Sequence, residues 1–200
     1  MSATTLHEIP TLFSKYKVAK NILDRISIWN GDITRLEIDA IVNAANSRLA
    51  GGGGVDAAIH RAAGRSELQN ECKKYDGCPV GKAVITSACK INHVKNIIHT
   101  VGPQIYSDVK PEHRQKLISC YRSSLDLAQE YDLNSLAFCC ISTGVYGYPN
   151  DDAAKSVGQF LTEYLEQNDK IERIVLVTFL PIDFDLYHEY FSKFAESFEQ

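Results

Sequence analysis

The sequence predicts one α/β domain with helices packed on a six-stranded, largely parallel or mixed sheet, and three observations carry that expectation. Short β-branched and aromatic runs alternate with segments of helical period along the chain. The length of 200 residues suits one compact core better than two. Glycine-rich segments stand between strand and helix candidates, where open α/β sheets place ligand loops.

The strand candidates come in order. Residues 26–29 alternate apolar and polar side chains, and 40–42, 83–86, 96–99, 136–141 and 174–179 are short runs of the kind a strand covered on both faces requires. Between them, Leu117, Ile118, Tyr121, Leu125 and Ala128 recur at helical spacing, as do Val157, Phe160, Leu161, Tyr164 and Leu165. Residues 56–63 form a shorter helix candidate stopped by Gly64, and 186–198 a terminal helix after Pro181. Residues 1–24 are less regular and read as an N-terminal extension laid on a domain of residues 25–200.

Composition excludes several classes. With 44% hydrophobic and 23% charged residues the chain is far from disordered or fibrous extremes. A formal charge of −4 gives no global field to attract nucleic acid or anionic lipid, so an anionic ligand has to be gripped locally. The six cysteines show no C-x-x-C pair and no zinc-ligand spacing, and several sit in apolar runs as small hydrophobes. That usage points to a reducing compartment, cytoplasmic or nuclear. Residues 1–20 lack the apolar segment of a signal peptide, and no window approaches the roughly 20 apolar residues of a membrane span.

The strongest local signal is Gly51-Gly52-Gly53-Gly54 followed by Val55-Asp56-Ala57-Ala58-Ile59-His60. Four glycines allow close backbone approach, and a glycine turn entering a helix offers N–H groups and the positive end of the dipole to a phosphate. The loop lacks the Lys-Ser/Thr ending of a P-loop and the G-x-G-x-x-G spacing, which disfavours kinase-like chemistry and a dinucleotide oxidoreductase. Ser142-Thr143-Gly144-Val145-Tyr146, after the 136–141 run, is either a second ligand loop facing the first across a cleft or an ordinary turn. Asp32, in Gly31-Asp32-Ile33-Thr34, either caps a turn or accepts from an exocyclic amine such as adenine's. Asn43 and Asn46 either satisfy loop backbone or bind sugar hydroxyls. Asp56 and His60, four apart, share a helix face, as an acid/base pair or as plain helix support.

Taken together, Gly31-Asp32-Ile33-Thr34, the segment 39–46 (DAIVNAAN), the segment 51–64 (GGGGVDAAIHRAAG), the segment 98–103 (IHTVGP) and the segment 141–149 (ISTGVYGYP) resemble the macrodomain family, and within it the MacroD type of ADP-ribosylhydrolase. The resemblance covers the chain from about Ile26 to the C-terminal helix. It implies a three-layer α/β/α sandwich around a central six-stranded mixed sheet, with ADP-ribose in a cleft at one sheet end. It also implies removal of single ADP-ribose units from modified Asp and Glu side chains of proteins, and deacetylation of O-acetyl-ADP-ribose. Nucleic-acid ends carrying ADP-ribose are a further candidate substrate class.

The resemblance also assigns residues. Asp32 would accept from the adenine amino group and the Ile33 backbone would help hold the ring, with Phe179 beside the adenine and adjacent ribose. Gly52, Gly53, Gly54 and Val55 on one side, and Ser142, Thr143, Gly144, Val145 and Tyr146 on the other, would embrace the pyrophosphate and distal ribose. Asn46 would orient that ribose, Asp56 would position the attacking water, and His60, one turn on, would support it. No metal or cofactor is implied, and the expected state is a monomer away from membranes. Two positions depart from the family pattern: Ala57 stands where glycine is usual, tightening the pocket beside Asp56, and Cys139 replaces a frequent proline. A non-catalytic reader of ADP-ribose is the competing expectation.

Overall fold

A computed structural model describes residues 2–198; Met1, at the start of the expected extension, and Glu199 and Gln200, at the end of the expected domain, lie outside the described residues. Six strands form one sheet: β1 (Ile26–Asn30), β2 (Ile38–Ala44), β3 (Ala83–Ser87), β4 (Val94–Thr100), β5 (Ser135–Phe138) and β6 (Arg173–Thr178), in the order β1-β6-β5-β2-β4-β3. All neighbouring pairs are parallel except β3–β4, so the sheet is mixed only at one edge. Helices cover it to give the three-layer α/β/α architecture. The helices are α1 (Leu12–Tyr16), α2 (Lys20–Leu23), α3 (Gly54–Ala63), α4 (Arg65–Cys72), α5 (Pro111–Glu130), α6 (Asn150–Gln167) and α7 (Pro181–Glu196). None of the described helices is long and apolar enough to cross a membrane.

Burial explains the strand composition. Ala40, Ile41 and Val42 of β2, Leu136, Ala137 and Phe138 of β5, and Ile174 and Val175 of β6 are wholly buried, as parallel strands covered on both faces must be. The predicted helices appear with earlier starts. Gly54 opens α3 two residues before Asp56, and Pro181 stands at the first turn of α7, where a missing N–H costs nothing. Helix α4 escapes the periodicity because only Leu68 and Cys72 of its eight residues face the core. The N-terminal residues form a 3-10 turn (Leu6–Glu8), α1 and α2, and their Ile9, Leu12, Ile22 and Leu23 are buried in the same core as the sheet.

Two strand expectations run too long. The β5 ladder pairs with β2 only at Leu136 to Phe138, so Cys139, Cys140 and Ile141 leave the sheet. Likewise β6 ends at Thr178, opposite Asn30 at the end of β1, and Phe179 lies beyond it. Both departures occur at the carboxyl ends of parallel strands, where the chain turns away to form the walls of a cleft.

Candidate active site

The cleft measures about 920 Å³, within the range of sites that enclose a nucleotide-sized ligand. The ends of β1, β2, β5 and β6 supply Asn30, Ala44, Cys139 and Val177 to its floor. One wall is Gly52 to Asp56, and the other is Ser142 to Tyr146. Asp32, Ile33 and Phe179 close the far end. Every residue assigned from the sequence therefore lines this cleft except His60.

The glycine wall is an array of unused donors. The first helical bond of α3 runs from Ala57 N to Gly53 O at 3.3 Å, and the N–H groups of Gly52, Gly53, Gly54 and Val55 have no partner among the described residues. The opposite loop is pinned by Ile105 N donating to Tyr146 O at 2.8 Å and Tyr148 N donating to Ser142 O at 2.9 Å, while the N–H groups of Gly144, Val145 and Tyr146 are left over. Two facing sets of backbone donors suit an anionic group such as a pyrophosphate. Ser142 turns the chain at φ +66°, and its buried hydroxyl is also unpartnered. That turn needs Gly102, where a Cβ would lie 2.0 Å from Ser142 Oγ.

Asp56 is buried and held from two sides. Its Oδ1 accepts from Asn43 Nδ2 at 2.8 Å and forms an ion pair with His60 Nδ1 at 3.0 Å, while that nitrogen hydrogen-bonds to the Asp56 backbone carbonyl, also at 3.0 Å. The Asp56 carboxylate raises the His60 pKa to about 10, so the imidazole is a cation at neutral pH. Asn43, wholly buried, does not reach the cleft; its second amide hydrogen goes to His99 Nδ1 at 3.1 Å. Thr86 Oγ1 donates to Ser87 O, so it accepts from His99 Nε2 at 3.0 Å, which fixes the neutral tautomer of His99. Burial keeps His99 neutral by lowering its pKa to about 4.

Asn46 spans the glycine loop: Nδ2 donates to Gly51 O at 2.9 Å and Oδ1 accepts from Ala50 N at 3.2 Å. Asp32 does cap the following 3-10 turn, taking Thr34 N at 2.9 Å and Thr34 Oγ1 at 2.7 Å, both on Oδ1. Oδ2 takes no part in that cap. Phe179 is 86% exposed at the rim, an open aromatic face. Ala57 is not among the cleft-lining residues, so its methyl does not narrow the space beside Asp56; Ala58 faces in instead. Cys139 does face in, with burial pushing its thiol pKa up to about 12, so it acts as neutral filler.

Sequence reasoning missed Arg61, Asp183 and Gly102 on the cleft wall. Gly102 lay inside a quoted motif, and its signal was the glycine itself. Asp183 had none: it opens α7, is buried, and accepts from Asn150 Nδ2 at 2.6 Å, tying together the starts of α6 and α7.

Residues 42–157 match the family model for the Macro domain, and the chain belongs to that family. Among curated proteins it is 44% identical to the ADP-ribose glycohydrolase MACROD2 of Xenopus laevis, over 95% of this chain and 49% of that protein. It is 51% identical to the ADP-ribose glycohydrolase MACROD1 of Rattus norvegicus, over 88% of this chain and 67% of that protein. The chain thus spans about half the length of the Xenopus relative. Among solved structures it superimposes on a Trypanosoma brucei macrodomain in complex with ADP-ribose with a TM-score of 0.84 at 34% identity, covering 94% of this chain and 77% of that one.

Proposed function

We propose that this protein is a mono-ADP-ribosyl hydrolase that releases ADP-ribose from esters on Asp and Glu side chains of proteins, and that it deacetylates O-acetyl-ADP-ribose. The observation that carries the reading is the apposition of Asp56, Asn46 and Gly52. A Cβ on Gly52 would lie 3.2 Å from Asp56 Oδ2 and 3.7 Å from Asn46 Nδ2. A buried, oriented carboxylate and an amide thus meet at the edge of a phosphate cradle, where a module that only binds needs neither.

The roles follow from the contacts. Asp32 Oδ2 accepts from the adenine amino group, Ile33 and Phe179 flank the ring, and the two loops hold the pyrophosphate through their unpaired N–H groups. Tyr146 packs on the distal ribose, and the free hydrogen of Asn46 Nδ2 orients a ribose hydroxyl. Asp56 accepts a proton from the attacking water through Oδ2 while Oδ1 stays clamped by Asn43 and His60. Water adds across the ester, and the products are ADP-ribose and the free carboxylic acid. His60 acts through Asp56, ion-pairing with its Oδ1 and holding the carboxylate in place.

The test is release of ADP-ribose from a protein modified on glutamate, comparing wild type with Asp56→Asn, with calorimetric titration of both by free ADP-ribose. Release by wild type alone, with both proteins binding, is the expected result. Binding by both with no release by either overturns the hydrolase and leaves a reader of ADP-ribose.

A further inference from the structure

A second recess, of about 530 Å³, lies behind the glycine loop, and Gly52 borders both it and the cleft. Gly51 and Gly52 form one side, Arg65, Asn70 and Lys73 from α4 and its C-cap form the other, and His60 lies at the floor. Gly52, shared by the two, also lies against Asp56 and Asn46, so the recess adjoins the place where a modified side chain would be attached.

Its electrostatics are one-sided. Arg65 and Lys73 are exposed, neither has a carboxylate partner among the described residues, and no acidic side chain lines the recess. The two glutamates of α4 are engaged elsewhere, Glu67 with Lys90 and Glu71 with Lys74. Beneath them His60 is only 4% exposed, and its Nε2 makes no well-formed hydrogen bond among the described residues. That nitrogen would lie 3.5 Å from a Cβ on Gly51, so its edge is turned to the back of the loop. Nδ1 is taken by Asp56, and the Cys72 thiol supports the charged ring from within the core. The recess therefore presents three cationic groups on a protein whose net charge is −4.

We propose that this recess docks acidic side chains of the modified polypeptide, on the stretch flanking the ADP-ribosylated residue. The inference rests on the hydrolase reading of the adjacent cleft. Eight residues separate Arg65 from Lys73, about 12 Å at the helical rise, which an extended peptide covers in about four residues. Two carboxylates about four positions apart reach both cations. A nucleic-acid strand fits less well, since it calls for a longer basic track than two side chains.

The test uses peptides in which ADP-ribose is joined through an amide, so that ester hydrolysis cannot consume the probe. One peptide carries glutamates in the flanking positions and its twin carries glutamines. By calorimetry at low salt, the glutamate peptide should bind wild type three- to tenfold more tightly than its twin, the range two exposed ion pairs give. The variant R65Q/K73Q should bring the two peptides within twofold of each other and leave free ADP-ribose affinity unchanged. Equal binding of the twins to wild type, or a preference that survives in the variant, overturns the proposal. An ADP-ribosylated oligonucleotide end that loses more affinity than the glutamate peptide on R65Q/K73Q overturns it in favour of nucleic acid. A protein that shows the peptide preference yet releases no ADP-ribose from esters separates the two readings: the hydrolase fails and the docking site stands.

Discussion

Gly52→Ala is the sharpest test of the catalytic arrangement, because it adds one methyl group and removes no functional group. Gly52 is not held at positive φ, so alanine meets no backbone strain there. The new carbon would sit 3.2 Å from Asp56 Oδ2, a few tenths of an ångström inside comfortable contact. Asp56 cannot swing aside cheaply, since Oδ1 is fixed by Asn43 at 2.8 Å and His60 at 3.0 Å in a buried site. Relief by moving the loop costs about 1 kcal/mol, the low end for overpacking. That lowers Tm by about 2 to 4 °C for a chain of this size. The larger effect is expected on chemistry, because the methyl occupies the space between Oδ2 and Asn46 Nδ2 that the proposed mechanism gives to the attacking water. We expect kcat on an ADP-ribosyl glutamate ester to fall about 100-fold, or about 2.7 kcal/mol of transition-state stabilisation. Affinity for free ADP-ribose should change less than threefold, since the N–H of residue 52 remains. Steady-state kinetics, calorimetry and a thermal melt read the three quantities. A variant that keeps wild-type kcat, or loses kcat and binding in proportion, refutes the placement of the water.

Asn46→Ala should likewise abolish most turnover while leaving ADP-ribose binding largely intact, and a calorimetric titration that finds no binding would overturn that division. Asp32→Ala should weaken ADP-ribose binding by about 1 kcal/mol, one exposed hydrogen bond, with unchanged affinity counting against the adenine assignment. Stability should decline on both sides of about pH 6.5, measured as urea midpoints across pH. His99, held near 4 when folded, takes up its proton first in the unfolded chain, so its contribution is full above 6.5 and is lost as pH falls toward 4. His60, raised to about 10, contributes fully below 6.5 and loses its contribution as pH rises toward 10. His99→Gln should flatten the acid side alone; an unchanged acid limb places the titration elsewhere. Gly102→Ala should displace the second loop and weaken ADP-ribose binding more than tenfold, and Ser142→Ala in the same chain should restore part of that loss, because the clash at 2.0 Å is with the Ser142 hydroxyl. Calorimetry on the double variant showing no recovery counts against that clash.

How much of this was legible depended on whether the signal was local. The six strands were readable because parallel strands buried on both faces demand unbroken apolar runs, and Ile174 to Val177 could hardly be anything else. Their ends were not readable. Cys139 to Ile141 are as apolar as the strand before them, yet pairing stops at Phe138 although β2 and β6 each run two residues further, to Ala44 and Thr178, because the chain turns away there into the cleft wall. Helix α4 was invisible for the opposite reason, with two buried side chains in eight residues. At the site, Gly52 and Ser142 could be placed because glycine loops announce themselves in sequence. Asp183 and Arg61 could not, since nothing in their neighbourhoods marks which surface side chains turn inward.

Asn43 shows where local reading stops. Sequence offered two uses for it, loop satisfaction or sugar binding, and the structure gives a third that only the fold can create. Thr86 on β3, His99 on β4, Asn43 on β2 and Asp56 on α3 come from four elements up to 56 residues apart. They align because β2, β4 and β3 are neighbours and α3 starts beside the end of β2. Each group in the chain has its direction fixed by the next: the Thr86 hydroxyl is committed to Ser87 O, so His99 presents a lone pair to Asn43, so Asn43 presents N–H to Asp56. A carboxylate held in this way cannot rotate to take a donor from solvent, and only its Oδ2 is left for the cleft. The low His99 pKa is part of the device, for a protonated ring would turn N–H toward N–H and release Asp56. The sheet therefore does more than support the loops; its strand order sets the orientation of the carboxylate to which the proposed chemistry is assigned.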